Sequence, residues 1–170
     1  MESINKLFAV YLGGKADRCN IELHDVVFVA GSSIEATYPL LKKKWFGDPN
    51  RVHIDAYIAL EIVDGYSISL TKEKCPGNQK LYFLNFGAYK PGVFAEFHEN
   101  GFYVAETAAD AIRKAKKELC KGLTAIHKDD LVEIDVDDII ELEEVDQFFI
   151  SFAPSQEPPS QSVSAYKLMK

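Results

Sequence analysis

The chain has few cysteines, more negative than positive charge, and no apolar run long enough to span a membrane. Cys19, Cys75 and Cys120 are odd in number and lack C-x-x-C spacing, so neither a disulfide framework nor a zinc ribbon is predicted. A net charge of −7 disfavours nucleic acid as a partner. The apolar run Leu7 to Leu12 is too short for a signal-peptide core or a membrane span. We therefore expect a cytoplasmic protein whose partners include neither nucleic acid nor a membrane.

The chain also lacks the short motifs that identify common enzymes. It contains no G-x-G-x-x-G, no phosphate-binding loop, no H-E-x-x-H and no G-x-S-x-G. Gly13-Gly14-Lys15 follows an apolar run, but the next segment has the pattern of a strand, so no helix N-terminus follows to bind an anion. We predict no cofactor, and no motif assigns an activity.

What the chain does contain is a repeat. The run from Leu7 to Gly13 recurs from Leu81 to Gly87, and the same shift aligns Glu22 with Glu96 and His24 with His98. Further along, a larger shift aligns the stretch 53–55 with the stretch 135–137. Repetition at a long period indicates two copies of one structural unit.

Each copy has the hydrophobic pattern of two strands, one helix and two further strands. We expect an α+β fold of two tandem ββαββ units, at residues 5–72 and 79–153, each a small sheet covered by one helix and related by a pseudo-two-fold axis. Pro39 predicts a break in the first helix near Tyr38. Residues 154–170 are rich in proline, serine and glutamine and are predicted to be a disordered tail.

Glutamate and histidine recur as a pair in both copies. Glu22 and His24, like Glu96 and His98, are two residues apart and share one strand face. Each pair has the groups to share a proton, orient a substrate group or supply two metal ligands, and all four would hold one ion if the copies packed about an axis. The alternative, which we favour, is solvent-exposed strand residues or a turn-capping histidine.

We therefore assign no metal ligands from the sequence. His53 and Asp55 also share a strand face, and they would extend the first pair if the third strand lies beside it. His53 aligns with Asp135, which weakens any role that requires an imidazole in both copies.

An acidic stretch runs from Asp129 to Asp146, with ten carboxylates and no lysine or arginine. Such a stretch could form a calcium site or a surface for a basic partner. Calcium loops need a tight cluster and a turn glycine, which this stretch lacks. We predict a solvated strand face, where like charges also discourage edge-to-edge aggregation.

The first copy resembles the bacterial domain-of-unknown-function family 1543. The matching pieces are Leu12-Gly13-Gly14, Asn20-Ile21-Glu22-Leu23-His24-Asp25, Tyr38-Pro39-Leu40-Leu41-Lys42, His53-Ile54-Asp55-Ala56 and Val63-Asp64-Gly65-Tyr66. The family is similar in having one or two copies per chain, and the resemblance implies no activity, substrate or cofactor. The second copy departs from the pattern, with Phe94, Ala88, Arg113 and Gln147 in place of Asn20, Gly14, Pro39 and Gly65.

Because the second copy departs from the pattern, the resemblance favours a binding site in the first. The candidate residues are Asn20, Glu22, His24, Asp25 and Asp55, with Glu96 and His98 as their recurrence. We expect a non-enzymatic module that binds a small ligand or a protein partner, with a homo-oligomer left open. The alternative is a small hydrolase or metal-assisted enzyme that uses Glu22 and His24.

Overall fold

The protein is a mixed α+β structure in which strands predominate. The computed structural model describes residues 5–88, 92–119 and 136–169. Among these residues, neither helix has the length and apolar character that crossing a membrane requires. The elements in chain order are β1 (Lys6–Gly14), β2 (Leu23–Gly31), α1 (Tyr38–Lys44), β3 (Val52–Ala59), β4 (Ile62–Val63), β5 (Tyr66–Thr71), β6 (Lys80–Ala88), β7 (Phe97–Ala105), α2 (Ala108–Ala115), β8 (Val136–Leu142), β9 (Glu144–Val145), β10 (Phe148–Pro154) and β11 (Val163–Leu168).

The chain forms two compact units whose boundaries differ from those predicted. The first unit comprises Met1–Cys75 and Glu144–Lys170, and the second comprises Pro76–Glu143. The last hairpin of the second copy thus belongs with the first copy. Its strand β10 pairs with β5 over six residues, from Phe149 opposite Thr71 to Pro154 opposite Tyr66. This pairing satisfies backbone N–H and C=O groups of β5 and β10. A boundary drawn from the repeat alone does not predict that these two strands pair.

The first unit is built on an antiparallel sheet with the strand order β11-β3-β1-β2. Alternate residues of β1 point to opposite faces of this sheet. Phe8, Val10 and Leu12 are buried with Leu41 and Trp45 on the face that α1 covers. β1 is therefore a largely buried strand, and the opposite face of the sheet is left for other side chains.

The helix of the first copy is broken, as Pro39 predicts. A 3₁₀ turn, Glu35–Thr37, precedes α1, and Pro39 lies in the first turn of α1. A proline is tolerated there because the first N–H groups of a helix have no partner within it. Pro39 therefore removes no hydrogen bond from within α1, and the break costs little free energy.

A second sheet of the first unit has the order β4-β5-β10-β9 and combines strands from both copies. Asp146, beyond β9, anchors this sheet to the first one. Its carboxylate accepts a hydrogen bond from the Ala30 N–H at 2.9 Å and pairs with Lys44 Nζ at 2.8 Å. Asp146 thus links the returning hairpin to β2 and to the end of α1.

The second unit contains a three-stranded sheet of order β7-β6-β8, with α2 packed against it. Its registers repeat those of the first unit. Gly87 lies opposite His98, as Gly13 lies opposite His24. Thr107 caps the N-terminus of α2, since the Asp110 N–H donates to Thr107 Oγ1 at 3.2 Å. The predicted pseudo-two-fold relation between the units stays a prediction.

The predicted tail of residues 154–170 contains a strand instead of disorder throughout. β11 pairs with β3, with Val163 opposite Tyr57 and Leu168 opposite His53. Met169, which follows β11, is 6% exposed and belongs to the first core cluster. Ser160 Oγ accepts hydrogen bonds from the Glu61 and Ile62 N–H groups. The composition of the tail predicted disorder because composition does not show that β3 has an open edge with which β11 can pair.

Candidate functional site

The candidate site lies on the sheet face opposite α1, around the end of β1. Gly13 on β1 has His24 of β2 on one side and His53 of β3 on the other. Residues directly opposite each other on neighbouring strands point to the same face. The two imidazoles therefore flank a position that has no side chain of its own.

Four polar side chains meet there and form what we call the first cluster: Glu22, His24, His53 and Asp55. His24 Nε2 lies 3.5 Å from Glu22 Oε1 and 3.3 Å from Asp55 Oδ2. His53 Nε2 lies 3.5 Å from Glu22 Oε1 and 3.1 Å from Asp55 Oδ1. Glu22, His53 and Asp55 each offer one ligand atom within 4.8 Å of the others. Two separate segments of the chain, at residues 22–24 and 53–55, thus converge on one point.

A β-bulge brings Asp55 into the first cluster. The register between β1 and β3 shifts, so that Tyr11 pairs with Ala56 and Leu12 pairs with Ile54, which leaves Asp55 as the extra residue. A bulge re-aims the extra residue and is common beside functional sites. Here it turns the carboxylate toward both imidazoles.

The cluster occupies the space above Gly13. A Cβ atom added to Gly13 would lie 2.7 Å from His53 Nε2 and 3.1 Å from Glu22 Oε1, and closer still to Asp55 Oδ2. Real Cβ atoms do not approach neighbours at such distances. Glycine at this position is therefore a requirement of the cluster.

Burial differs across the first cluster. The His53 side chain is 8% exposed, whereas those of His24 and Glu22 are 40% and 43% exposed. Within the described residues, Asp55 Oδ2 is buried without a hydrogen-bond partner. Its 3.3 Å approach to His24 Nε2 is an ion-pair distance that lacks hydrogen-bond geometry. A buried carboxylate oxygen without a partner is unfavourable unless a cation compensates it.

Two tyrosine rings flank the imidazoles. Tyr11 stacks on His24, with ring centroids 5.3 Å apart, and Tyr166 of β11 lies against His53 at 4.4 Å. Burial, followed by the negative charge of Asp55, raises the pKa of Tyr11. The Tyr11 phenol therefore keeps its proton at neutral pH, and it acts as a packing group instead of an anionic ligand.

The second unit carries a related set, the second cluster, which consists of Glu96, His98 and Asp137. His98 Nε2 lies 3.5 Å from Glu96 Oε2, and His98 Nδ1 lies 3.4 Å from Asp137 Oδ2. Asp137 is the extra residue of a bulge between β6 and β8, just as Asp55 is between β1 and β3. The two units therefore position their carboxylates by the same backbone device.

The structure places the sequence-predicted residues unevenly. Glu22, His24 and Asp55 come together in the first cluster, and Glu96 and His98 come together in the second. Asn20 is exposed in the loop before β2. Asp25 lies opposite Leu12 and so points to the other face of the sheet, where its carboxylate accepts a hydrogen bond from the Val26 N–H.

Three contributors were missing from the predicted list: His53, Gly13 and Asp137. His53 had a signal, because it shares a strand face with Asp55 and needed only β3 to lie beside β1. Gly13 and Asp137 were detectable through the repeat, since Gly13 recurs as Gly87 and Asp55 recurs as Asp137. A single ion shared by both copies was the alternative that the sequence analysis did not favour. Each cluster draws on residues of its own unit.

The described part of the acidic stretch contributes more than a solvated face. Lys80 Nζ pairs with the carboxylates of Glu141 and Glu143, and the Tyr82 hydroxyl donates to Glu141 at 3.0 Å. These hydrogen bonds raise the pKa of Lys80, which is therefore charged at neutral pH. Asp137 joins the second cluster. The part of this stretch at 129–135 lies outside the described residues.

The fold and the clusters together define a class of protein: a two-copy α+β protein in which each copy carries a histidine and carboxylate cluster beside the glycine of its first strand. The chain belongs to the DUF1543 family, a domain of unknown function, whose family model matches residues 19–70 and 93–152. The resemblance seen in the sequence is thus confirmed, with one matched segment in each copy.

A solved structure agrees with this assignment. The crystal structure of a protein Il1583 from Idiomarina loihiensis is 34% identical in sequence, with a TM-score of 0.72. The similarity covers 96% of this chain and 97% of that chain. No curated protein matches the chain.

Proposed function

We propose that this protein is a binding module without catalysis, and that its small ligand is a divalent transition-metal cation held by the first cluster. The observation that carries the proposal is the convergence of Glu22, His53 and Asp55, with ligand atoms within 4.8 Å of one another. The proposal departs from the sequence-based prediction that assigned no metal ligands. Imidazole and carboxylate together are a ligand set that zinc uses in proteins.

The spacing of the ligand atoms supports a tetrahedral ion. Zinc binds nitrogen and oxygen at about 2.0 Å, so two ligands of a tetrahedron are about 3.3 Å apart. His53 Nε2 is 3.1 Å from Asp55 Oδ1 and 3.5 Å from Glu22 Oε1, which brackets that value.

Charge supports the same proposal. Glu22 and Asp55 bring two negative charges to one place, and a divalent cation would neutralise both. A cation that contacts both carboxylate oxygens of Asp55 would also give the buried Oδ2 a partner. An unsatisfied buried acceptor costs about 1–3 kcal/mol, and a bound cation would remove that cost.

An enzyme is the second candidate, and the exposure of His24 favours it. His24 is 40% exposed, lies 3.3 Å from Asp55 Oδ2 and is absent from the three-ligand set. Catalytic zinc sites keep one position open for water, and a nearby imidazole serves as a base. Zinc-dependent hydrolysis of a generic ester or phosphate ester that His24→Ala abolishes, with zinc still bound, would favour the enzyme.

We also propose a cytoplasmic location. Cys19 and Cys75 are free thiols, which is the usual state of cysteines in a reducing compartment.

Metal binding by the first cluster is tested by calorimetric titration of the chelator-treated full chain with zinc chloride. We expect tight binding by the wild type, and at least ~10-fold weaker binding by His53→Ala and by Asp55→Asn, since each loses a ligand. Thermal melting of every variant without metal verifies that it is folded.

The chain offers a matched control for the loss of one carboxylate. Asp25→Asn changes the same residue type on β2 of the same sheet, but on the opposite face. It should bind zinc as the wild type does. Equal zinc affinity in wild type, Asp55→Asn and His53→Ala would refute the proposal.

A further inference from the structure

We propose that Tyr166, on the last strand β11, is a positioning residue for the first cluster, and that zinc binding there is coupled to the docking of β11. The inference rests on the proposed function, since it names what holds the ligand His53 in place. Tyr166 acts through the contact between its ring and the His53 imidazole, whose centroids are 4.4 Å apart and whose planes are inclined at 44°.

The pairing of β11 with β3 explains how Tyr166 reaches the first cluster. Leu168 lies directly opposite His53, so these two residues point to the same face of the sheet. Tyr166 comes two residues before Leu168, and its ring lies against the same imidazole. Such a diagonal neighbour is about 7–8 Å away, a distance that an aromatic side chain spans. Tyr166 is therefore the residue of β11 that reaches across His53.

An irregularity in the ladder falls at the residue that makes this contact. Between Ser164 and Lys167 the register shifts, so that two residues of β11 lie where β3 has only one, Asp55. Tyr166 is one of the two. A bulge of this kind disrupts the ladder locally and re-aims a side chain. The backbone therefore holds β11 least firmly at the place where β11 meets the first cluster.

The exposure of the histidines indicates what the Tyr166 ring does. The His53 side chain, beneath the ring, is 8% exposed, whereas those of His24 and His98 are 40% and 45% exposed. Tyr166 itself is 68% exposed, so one side of its ring faces water while the other lies against the imidazole. The shell around a metal ligand limits the access of water and fixes the orientation of the imidazole. Loss of the ring should therefore weaken metal binding.

The position of β11 in the fold makes the coupling reciprocal. β11 is at the edge of its sheet, and residues 155–162, which precede it, contain no helix or strand. Segments with few buried contacts open locally at a lower free energy than the whole protein unfolds. If zinc binds the docked state of β11 ~10-fold more tightly than the open state, it must favour docking by the same factor.

The first experiment compares the zinc affinities of chelator-treated full chains by calorimetric titration. We expect Tyr166→Ala to weaken zinc binding by about 10-fold, which is a usual effect of removing a group that supports a metal ligand. Tyr166→Phe keeps the ring and loses only the hydroxyl, so it should bind zinc as the wild type does. Thermal melting without metal verifies that every variant is folded.

Val163→Ala is the matched control on the same strand. It truncates an exposed side chain of β11, as Tyr166→Ala does, but on the other face of the sheet. Val163 lies opposite Tyr57, which packs against the core on the face that α1 covers. Val163→Ala should leave the zinc affinity unchanged.

Hydrogen exchange measures the coupling from the other direction. Saturating zinc should slow exchange of the wild-type β11 amides by about 10-fold relative to the β10 amides of the same unit. This slowing should persist in Tyr166→Phe and disappear in Tyr166→Ala. A looser β11 would by itself speed exchange equally with and without zinc, so the zinc-dependent ratio isolates the positioning role.

The outcomes separate this inference from the proposed function. Wild-type zinc affinity in Tyr166→Ala, together with weakened binding by His53→Ala, would leave the proposed function standing and overturn the role of Tyr166. Equal weakening by Tyr166→Ala and Val163→Ala would mean general loosening of β11 and would also overturn it. Zinc binding that ignores His53→Ala refutes the proposed function, and the inference fails with it.

Discussion

At the scale of single residues, two glycines shape the candidate sites more than any charged group. Gly13 and Gly87 sit beneath their clusters, where a Cβ would meet ligand atoms. The backbone conformation does not require glycine there, since neither residue has a positive φ. Space is the reason, because the side chains of the neighbouring strands fill the volume that a methyl group would need.

Gly13→Ala should therefore damage the first cluster selectively. The added methyl group would push His53, Asp55 and Glu22 apart, and zinc affinity should fall by about 10- to 100-fold, as it does when supporting groups of a metal site are disturbed. Calorimetric titration with zinc measures the loss.

The matched variant is Gly87→Ala in the second cluster. It leaves the first cluster untouched and should leave zinc binding by that cluster close to that of the wild type. A wild-type zinc affinity in Gly13→Ala would show that the atoms above this glycine are not the ligands.

At the scale of elements, β11 determines how the edge of the first sheet is closed. Tyr166 covers His53, Lys167 pairs with Glu35 at 3.0 Å, and Met169 is buried in the core. The ion pair is exposed and contributes little to stability, so burial of the methionine is the larger effect. β11 is thus held mainly by its ladder with β3 and by one apolar side chain.

Met169→Ala should lower the free energy of unfolding by about 2–5 kcal/mol, the usual range for removing a buried methionine side chain. The neighbouring substitution Leu168→Ala is the control, because Leu168 is 57% exposed and its loss should cost no more than about 0.5 kcal/mol. Urea denaturation measures both. Equal effects of the two substitutions would contradict the burial of Met169.

At the scale of the whole molecule, the two copies seen in the sequence and the two compact units of the structure have different boundaries. The hairpin β9–β10 is the end of the second copy, yet it completes a sheet with β4 and β5 of the first copy. Asp146 ties it to Ala30 and Lys44 of the same unit. We therefore expect the hairpin to unfold together with the first unit, so that its stability depends on the stability of that unit.

Native-state hydrogen exchange tests this assignment. Leu41 and Leu84 are both 0% exposed, one in the core of each unit. Leu41→Ala should speed exchange of the β10 amides about 30-fold or more, in line with a loss of at least about 2 kcal/mol. Leu84→Ala should speed them less. The assignment is wrong if Leu84→Ala has the larger effect on β10.

Local patterns were enough to predict the mixed α+β character of the fold and some of its details. The break at Pro39 depends on neighbouring residues only, so the sequence predicted it. The pairing of Glu22 with His24 is local in the same sense, since the two residues are only two positions apart and Glu22 immediately precedes β2.

Long-range pairing was not recoverable in this way. His53 joins His24 only because β3 and β2 both flank β1, and Asp55 reaches them through a bulge that leaves no mark in composition. In the hairpin β9–β10, β10 pairs with β5, and β11 pairs with β3, although the paired strands are far apart in the sequence. In each case an open strand edge supplies the unpaired N–H and C=O groups. Such hydrogen bonds depend on which edges the folded sheet leaves open, which is a property of the three-dimensional arrangement and not of neighbouring residues in the chain.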